Sequence, residues 1–184
     1  MTGVLVTGFE PFGKNEVNPS QLLAERLGGV VLPVSYARAA AALRRALDEQ
    51  EPDVVIAFGL ADDRDAISVE RFAHTLDEAS TTDNDETAGS GTEIEPGGPL
   101  ALATRLPADE IVAALQAEEI PAEISRDAGG FLCNHVFYVL LRALRDGQVG
   151  GFVHVPPLDV VPVEQLERAG RVIVSACERH ISPS

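Results

Sequence analysis

The sequence predicts an α/β fold: a single-domain three-layer α/β/α sandwich, residues 1–184, built on a mostly parallel mixed sheet. Three observations lead there. Strand-like and helix-like segments alternate along the chain, the pattern of parallel strands joined by crossover helices. The run Val54-Val55-Ile56-Ala57-Phe58 is apolar throughout, as in a strand covered on both faces. A length of 184 residues, 45% of them hydrophobic, is enough for one sizeable core.

In order, Val4-Leu5-Val6-Thr7 is a buried strand ended by Gly8. A helix follows, with Asn18 as cap, Pro19 in the first turn and Gln21 able to reach back. It buries Leu22, Leu23 and Leu27 and stops at Gly28-Gly29. Val30-Val31-Leu32 is a short strand and Tyr36 to Gln50 an alanine-rich helix. After the central Val54 strand, Ala66 to Ala73 alternates with period two and is a further strand candidate. Asp77 to Gly98 is polar, acidic and without periodicity, a long loop of the kind that is often functional. A helix from Pro107 to Glu119, a strand at Ala122–Ser125 and an apolar helix from Cys133 to Arg145 come next. Gly151 to Val155 is a strand stopped by Pro156-Pro157, and Val163 to His180 is the last helix.

Charge narrows the function. Against 14 basic side chains stand 29 acidic ones, a formal net charge of −15, which argues against nucleic acid and anionic membranes as partners. No apolar run approaches the roughly 20 residues of a membrane-spanning helix, and the first residues carry no signal-peptide pattern. Two cysteines make no disulfide framework, so a reducing, cytoplasmic setting is expected.

Gly8 to Asn15 nearly satisfies the phosphate-loop spacing, but Asn15 stands where the magnesium-binding hydroxyl belongs. Glu10 would repel phosphate, and the helix begins near Pro19 rather than at Lys14. Phe9 and Phe12 suggest instead a slot for a flat, uncharged group.

Cys133 sits where a helix should begin, and backbone amides and the helix dipole there favour a thiolate. It also shares a helical face with Phe137, Leu140, Leu141 and Leu144, and by position alone an inert core thiol is the stronger reading. Of four histidines, His135 lies about 200° round the helix from Cys133. His180 is near the C-terminus and His74 borders the polar loop. His154 ends an apolar strand, where open α/β sheets place their ligands, although on its own a core histidine satisfied by backbone is the stronger reading. Glu70, in the Ala66–Ala73 stretch, reads on its own as a solvent-face carboxylate. Spacing does not assemble these residues into a triad.

Four passages, in order over nearly the whole chain, resemble the pyroglutamyl-peptidase I (pyrrolidone carboxyl peptidase) family of cysteine peptidases. They are Val4 to Gly13 with Asn18-Pro19-Ser20, Ala66 to Arg71, Ile124 to Asn134, and Gly151 to Pro156. The third looks like the family's cysteine signature. The resemblance implies removal of an N-terminal pyroglutamyl residue from peptides, with Cys133 as nucleophile, His154 as base and Glu70 orienting it. It further implies that Phe9 and Phe12 hold the lactam ring, that Phe131 and Leu132 line the same pocket, and that the Cys133 amide serves as an oxyanion donor. No metal or cofactor is implied, and a homo-oligomer, dimer or tetramer, is expected.

Some positions depart from the pattern. Ser80 replaces an arginine that the family usually carries near the active centre, and Thr75 an asparagine. Asp62 stands where a small residue is preferred, and Pro99 to Ala103 lacks the usual aromatics. Ser80 implies slower turnover, unless Arg64, Arg71, Arg105 or Arg126 fills the vacancy. Two alternatives remain beside the peptidase: an enzyme for a different N-terminal or cyclic amide, and a catalytically weak binding protein.

Overall fold

Local chemistry fixes the element ends in the computed structural model, which describes residues 2–13, 16–89 and 91–182. The strand β1 (Val4–Phe9) leads to helix α1 (Pro19–Arg26), which Asn18 caps by accepting from the Ser20 N–H at 3.0 Å. Gln21 does not reach back to the cap; its side chain donates to Glu25 instead. Strand β2 (Val30–Leu32) precedes α2 (Tyr36–Gln50), whose cap Ser35 accepts from the Arg38 N–H. Then come β3 (Val54–Leu60) and β4 (Ile67–Glu70), both buried throughout.

The expected strand over Ala66–Ala73 is two strands. β4 stays in the main sheet, whereas β5 (Phe72–His74) leaves it and pairs antiparallel with β8 (Ala101–Ala103). The polar stretch from Asp77 to Gly98 is likewise more ordered than expected. Two-residue strands β6 (Leu76–Asp77) and β7 (Thr92–Glu93) pair there, and an isolated bridge joins Thr82 to Ala88. Such short pairings leave no periodicity to read. Asp83 supplies part of the order: its carboxylate accepts the backbone N–H groups of Tyr36, Asp85 and Thr87.

Helix α3 (Ala108–Ala117), strand β9 (Ala122–Ser125), helix α4 (Leu132–Ala143), strand β10 (Val149–Val155) and helix α5 (Val163–Ile181) complete the chain order. The main sheet runs β2-β1-β3-β10-β4-β9, and every neighbouring pair is parallel except β10 with β4. One apolar cluster joins α2 and α4 to one face; the other packs α1, α3 and α5 on the opposite face. These are the three expected layers. No described helix is long and apolar enough to cross a membrane.

Gly8 is where β1 and α1 touch. A Cβ there would lie 1.9 Å from the Ser20 carbonyl oxygen, so the strand reaches the helix only because position 8 has no side chain. Gly8→Ala should therefore lower stability by at least the ~1–3 kcal/mol typical of overpacking. Thermal unfolding measures it, and an unchanged Tm would show that α1 moves aside freely.

Candidate active site

Strand parity gathers the site. Side chains alternate along each strand, so residues two apart share a face. Phe152, Ala57 and Phe9 belong to the cluster under α2 and α4, while Val153, Phe58 and Val69 belong to the opposite one. His154, Gly59 and Glu70 consequently point to the α4 side. The register places His154 opposite Gly59 on one neighbouring strand and Ser68 on the other.

Onto this face α4 delivers Cys133. Phe131 is the helix cap and Leu132 the first helical residue, so the Cys133 N–H has no carbonyl one turn earlier to bond. That amide can serve an oxyanion. A Cβ on Gly59 would lie 2.8 Å from Cys133 Sγ, so the sulfur nests against bare backbone on the strand beside His154. His154 and Cys133 line one cleft of about 600 Å³, with Arg64, Thr81 and Phe131.

Glu70 does not face solvent. Its side chain is wholly buried, and Oε1 lies 2.7 Å from His154 Nδ1. A carboxylate only accepts, so Nδ1 carries the ring proton and Nε2 is left as the base. Arg64 Nη1 donates to the same Oε1 at 2.6 Å, and Nη2 donates to the Asp127 carbonyl at 2.8 Å.

The thiol is the surprise. Burial, and after it the charge of Glu70, pushes Cys133 up to about 12, against smaller opposing effects of Arg64 and its own backbone amide. The helix-start argument for a resting thiolate is thus overridden by desolvation. At neutral pH Cys133 rests as a thiol and needs a base to take its proton.

All four residues expected at the lactam pocket, Phe9, Phe12, Phe131 and Leu132, line one slot together with Cys133. The slot is nearly closed, about 10 Å³. Phe12 and Phe131, ring centroids 6.0 Å apart, form one of its walls. Phe9 departs from the expectation of a loop residue. It is the last residue of β1, 3% exposed and packed on Phe152, so it belongs to the core as well as to the slot. The loop after it is pinned by Glu10, whose carboxylate accepts from the Val34 N–H and from Asn84 Nδ2. Lys14 and Asn15, on which the phosphate-loop spacing turned, lie outside the described residues.

The remaining candidates are engaged elsewhere. His135 Nδ1 is 2.7 Å from Asp77 Oδ2, and His180 Nδ1 is 3.2 Å from Glu110. His74 borders a neighbouring cavity with Arg126. Arg71 pairs with Asp109, and Arg105 donates to the Arg145 carbonyl. Ser80 is exposed, beside cleft-lining Thr81. Sequence reasoning gave no role to Asn134, whose side chain bonds the His74 N–H and the His74 and Leu76 carbonyls, tying the start of α4 to the β5–β6 segment. A polar residue one place past the nucleophile, at the buried end of a helix, was the available signal.

Comparison with known proteins gives a concordant result. The sequence model of the family described as pyroglutamyl peptidase matches residues 2–178. The chain is 46% identical to a pyrrolidone-carboxylate peptidase of Gloeobacter violaceus over 169 residues, covering 84% of this chain and 82% of the relative. It is 38% identical to that of Pyrococcus furiosus over 181 residues, 91% of this chain and 86% of the relative. The crystal structure of Bacillus amyloliquefaciens pyroglutamyl peptidase I superposes with a TM-score of 0.93 at 34% identity, covering 98% of each chain. The pyrrolidone carboxyl peptidase of Thermococcus litoralis gives 0.94 at 34% identity, covering 99% of this chain and 96% of that one.

Cys133 opens onto the cleft, whereas Cys177 is fully buried in α5. Iodoacetamide should label Cys133 first. Because a thiol pushed up to about 12 stays protonated below that pH, the labelling rate should climb with pH, with no plateau between about pH 7 and 10. Peptide mapping after brief alkylation checks both points; preferential Cys177 labelling or a neutral-pH plateau would contradict them.

Proposed function

The chain belongs to the pyroglutamyl peptidase family, and on that footing we propose that it removes N-terminal pyroglutamyl residues from peptides by a Cys133–His154–Glu70 thioester mechanism. The observation that carries the mechanism is the buried His154–Glu70 hydrogen bond in the cleft that Cys133 shares.

In the first step His154 Nε2 takes the thiol proton as Sγ bonds to the scissile carbonyl carbon. Negative charge moves to the carbonyl oxygen, toward the Cys133 N–H. Glu70 stabilises the imidazolium that forms and keeps its ring oriented. Collapse breaks the C–N bond, and His154 hands its proton to the departing amine. A water then attacks the thioester, again losing its proton to His154, and pyroglutamate leaves as Sγ is released and reprotonated. The neutral resting thiol suits this order of events: proton transfer accompanies attack rather than preceding it.

Recognition falls to the slot. The pyroglutamyl lactam is flat and uncharged, with no amine to repel or attract, which matches walls of Phe9, Phe12, Phe131 and Leu132. The ring enters as Phe12 parts from Phe131. The leaving peptide lies in the wider cleft. We extend the reading to a cytoplasmic setting, supported by two free cysteines, and to self-association as a dimer or tetramer, which sedimentation velocity measures.

A pyroglutamyl amide reporter tests the function. Wild type should release its amine, and Cys133→Ser should abolish release while retaining the fold. No turnover of this reporter, with turnover of another cyclic or N-terminal amide, would replace the substrate; no turnover of either would favour a binding protein.

Phe12→Ala should raise the barrier read from kcat/KM by on the order of 1–3 kcal/mol through lost burial and stacking. The fold should survive, because Phe12 is only partly buried on a loop. An unchanged kcat/KM would remove Phe12 from the recognition slot.

A further inference from the structure

We infer that Arg64 is a positioning residue of the catalytic set: its guanidinium braces the buried Glu70 carboxylate against His154 and ties that pair to the segment leading into the helix of Cys133. The inference rests on the peptidase reading above.

Arg64 lies in the turn between β3 and β4, where its own N–H donates to the Ala61 carbonyl. One planar group makes two bonds in different directions. Nη1 meets Glu70 Oε1 at 2.6 Å and Nη2 meets the Asp127 carbonyl at 2.8 Å. Asp127 belongs to the segment leading from β9 to α4. Its carbonyl also accepts from Ser125 Oγ, and its carboxylate accepts from the Gly129 N–H. The guanidinium therefore spans the two pieces of chain that carry the carboxylate and the nucleophile.

The charge matters as much as the reach. Glu70 is wholly buried, and its Oε2 has no partner among the described residues. Oε1 receives both the His154 Nδ1–H and the Arg64 bond. Stripped of Arg64, the buried carboxylate keeps only the His154 ring as a partner, too little to replace the water it has lost. Without the guanidinium fork the carboxylate is no longer held against Nδ1, so it orients the ring and stabilises the imidazolium less well. Lysine would restore a point charge but not the fork that joins Glu70 to Asp127. The thiol feels the same group, since the Arg64 charge works against the burial that raises Cys133.

The test uses Arg64→Ala and Arg64→Lys in the full chain, with Tm, steady-state kinetics on the pyroglutamyl amide, and iodoacetamide labelling of Cys133. For Arg64→Ala, kcat should fall about 10²-fold, short of the roughly 10⁴-fold seen when a triad carboxylate is disabled. KM should stay within about twofold, because the slot is untouched. Millimolar guanidinium should restore part of kcat in the alanine variant, and Arg64→Lys should recover less than the guanidinium-rescued enzyme. Cys133 labelling should slow in the alanine variant. A kcat kept within about threefold overturns the inference. So does a raised KM with kcat intact, which would make Arg64 a substrate contact, and so does a loss of kcat that follows Tm and resists guanidinium. If wild type itself fails on the reporter, the peptidase reading falls, and labelling alone decides Arg64: slower labelling sustains the brace and unchanged labelling ends it.

Discussion

A carboxylate taken out of water keeps its charge only where opposite charge and donors replace the solvent. Glu70 meets that condition with a single oxygen, shared between His154 and Arg64 at 2.7 and 2.6 Å. From this arrangement the rest of the site follows. The carboxylate fixes which imidazole nitrogen carries a proton, and so which one can accept the proton of Cys133. Its negative charge also helps hold that thiol neutral at rest. One buried group thereby sets the resting state of two others.

The sheet makes the arrangement reachable. Four strands run one way, and the antiparallel step from β10 to β4 reverses direction beside His154. Val153 pairs with Val69 and His154 with Ser68, so Glu70 falls opposite Phe152, diagonal to His154 and on the same face. On the other flank Gly59 leaves the space that Cys133 Sγ fills. A helix start, a strand end and a direction change thus converge within one turn of α4, without strain at the catalytic residues themselves: none of the three has a positive φ.

Much of this was legible in the sequence, and the failures have physical causes. The apolar Val54 run, the Asn18 cap and the Cys133 helix start are local signals, and the structure keeps all three. The expected α/β sandwich also stands. Glu70 was not legible from its own strand, because period-two alternation says which residues share a face but not which face is covered. Its role came from family likeness, and its burial comes from contacts 84 residues away and from an arginine in the preceding turn. The thiol misled for the opposite reason: a local rule about helix ends was sound, but desolvation outweighed it. Phe9 misled because Gly8 reads as the end of a strand at Thr7, two residues before β1 stops. The strands β6 and β7 escaped because two residues cannot display a period.

The sheet also separates two kinds of selection. His154, Cys133, Glu70 and the aromatic slot all lie on the side of α2 and α4, whereas α1, α3 and α5 pack an apolar cluster of their own beneath the other face. The aliphatic side chains of that lower cluster lie on the opposite face of the sheet from the chemistry. A lineage adapting to heat or cold has a region in which to adjust its melting behaviour by exchanging one aliphatic side chain for another, while the reactive geometry above is inherited unchanged. Tolerance to climate and fidelity to one reaction can then evolve on opposite sides of the same six strands.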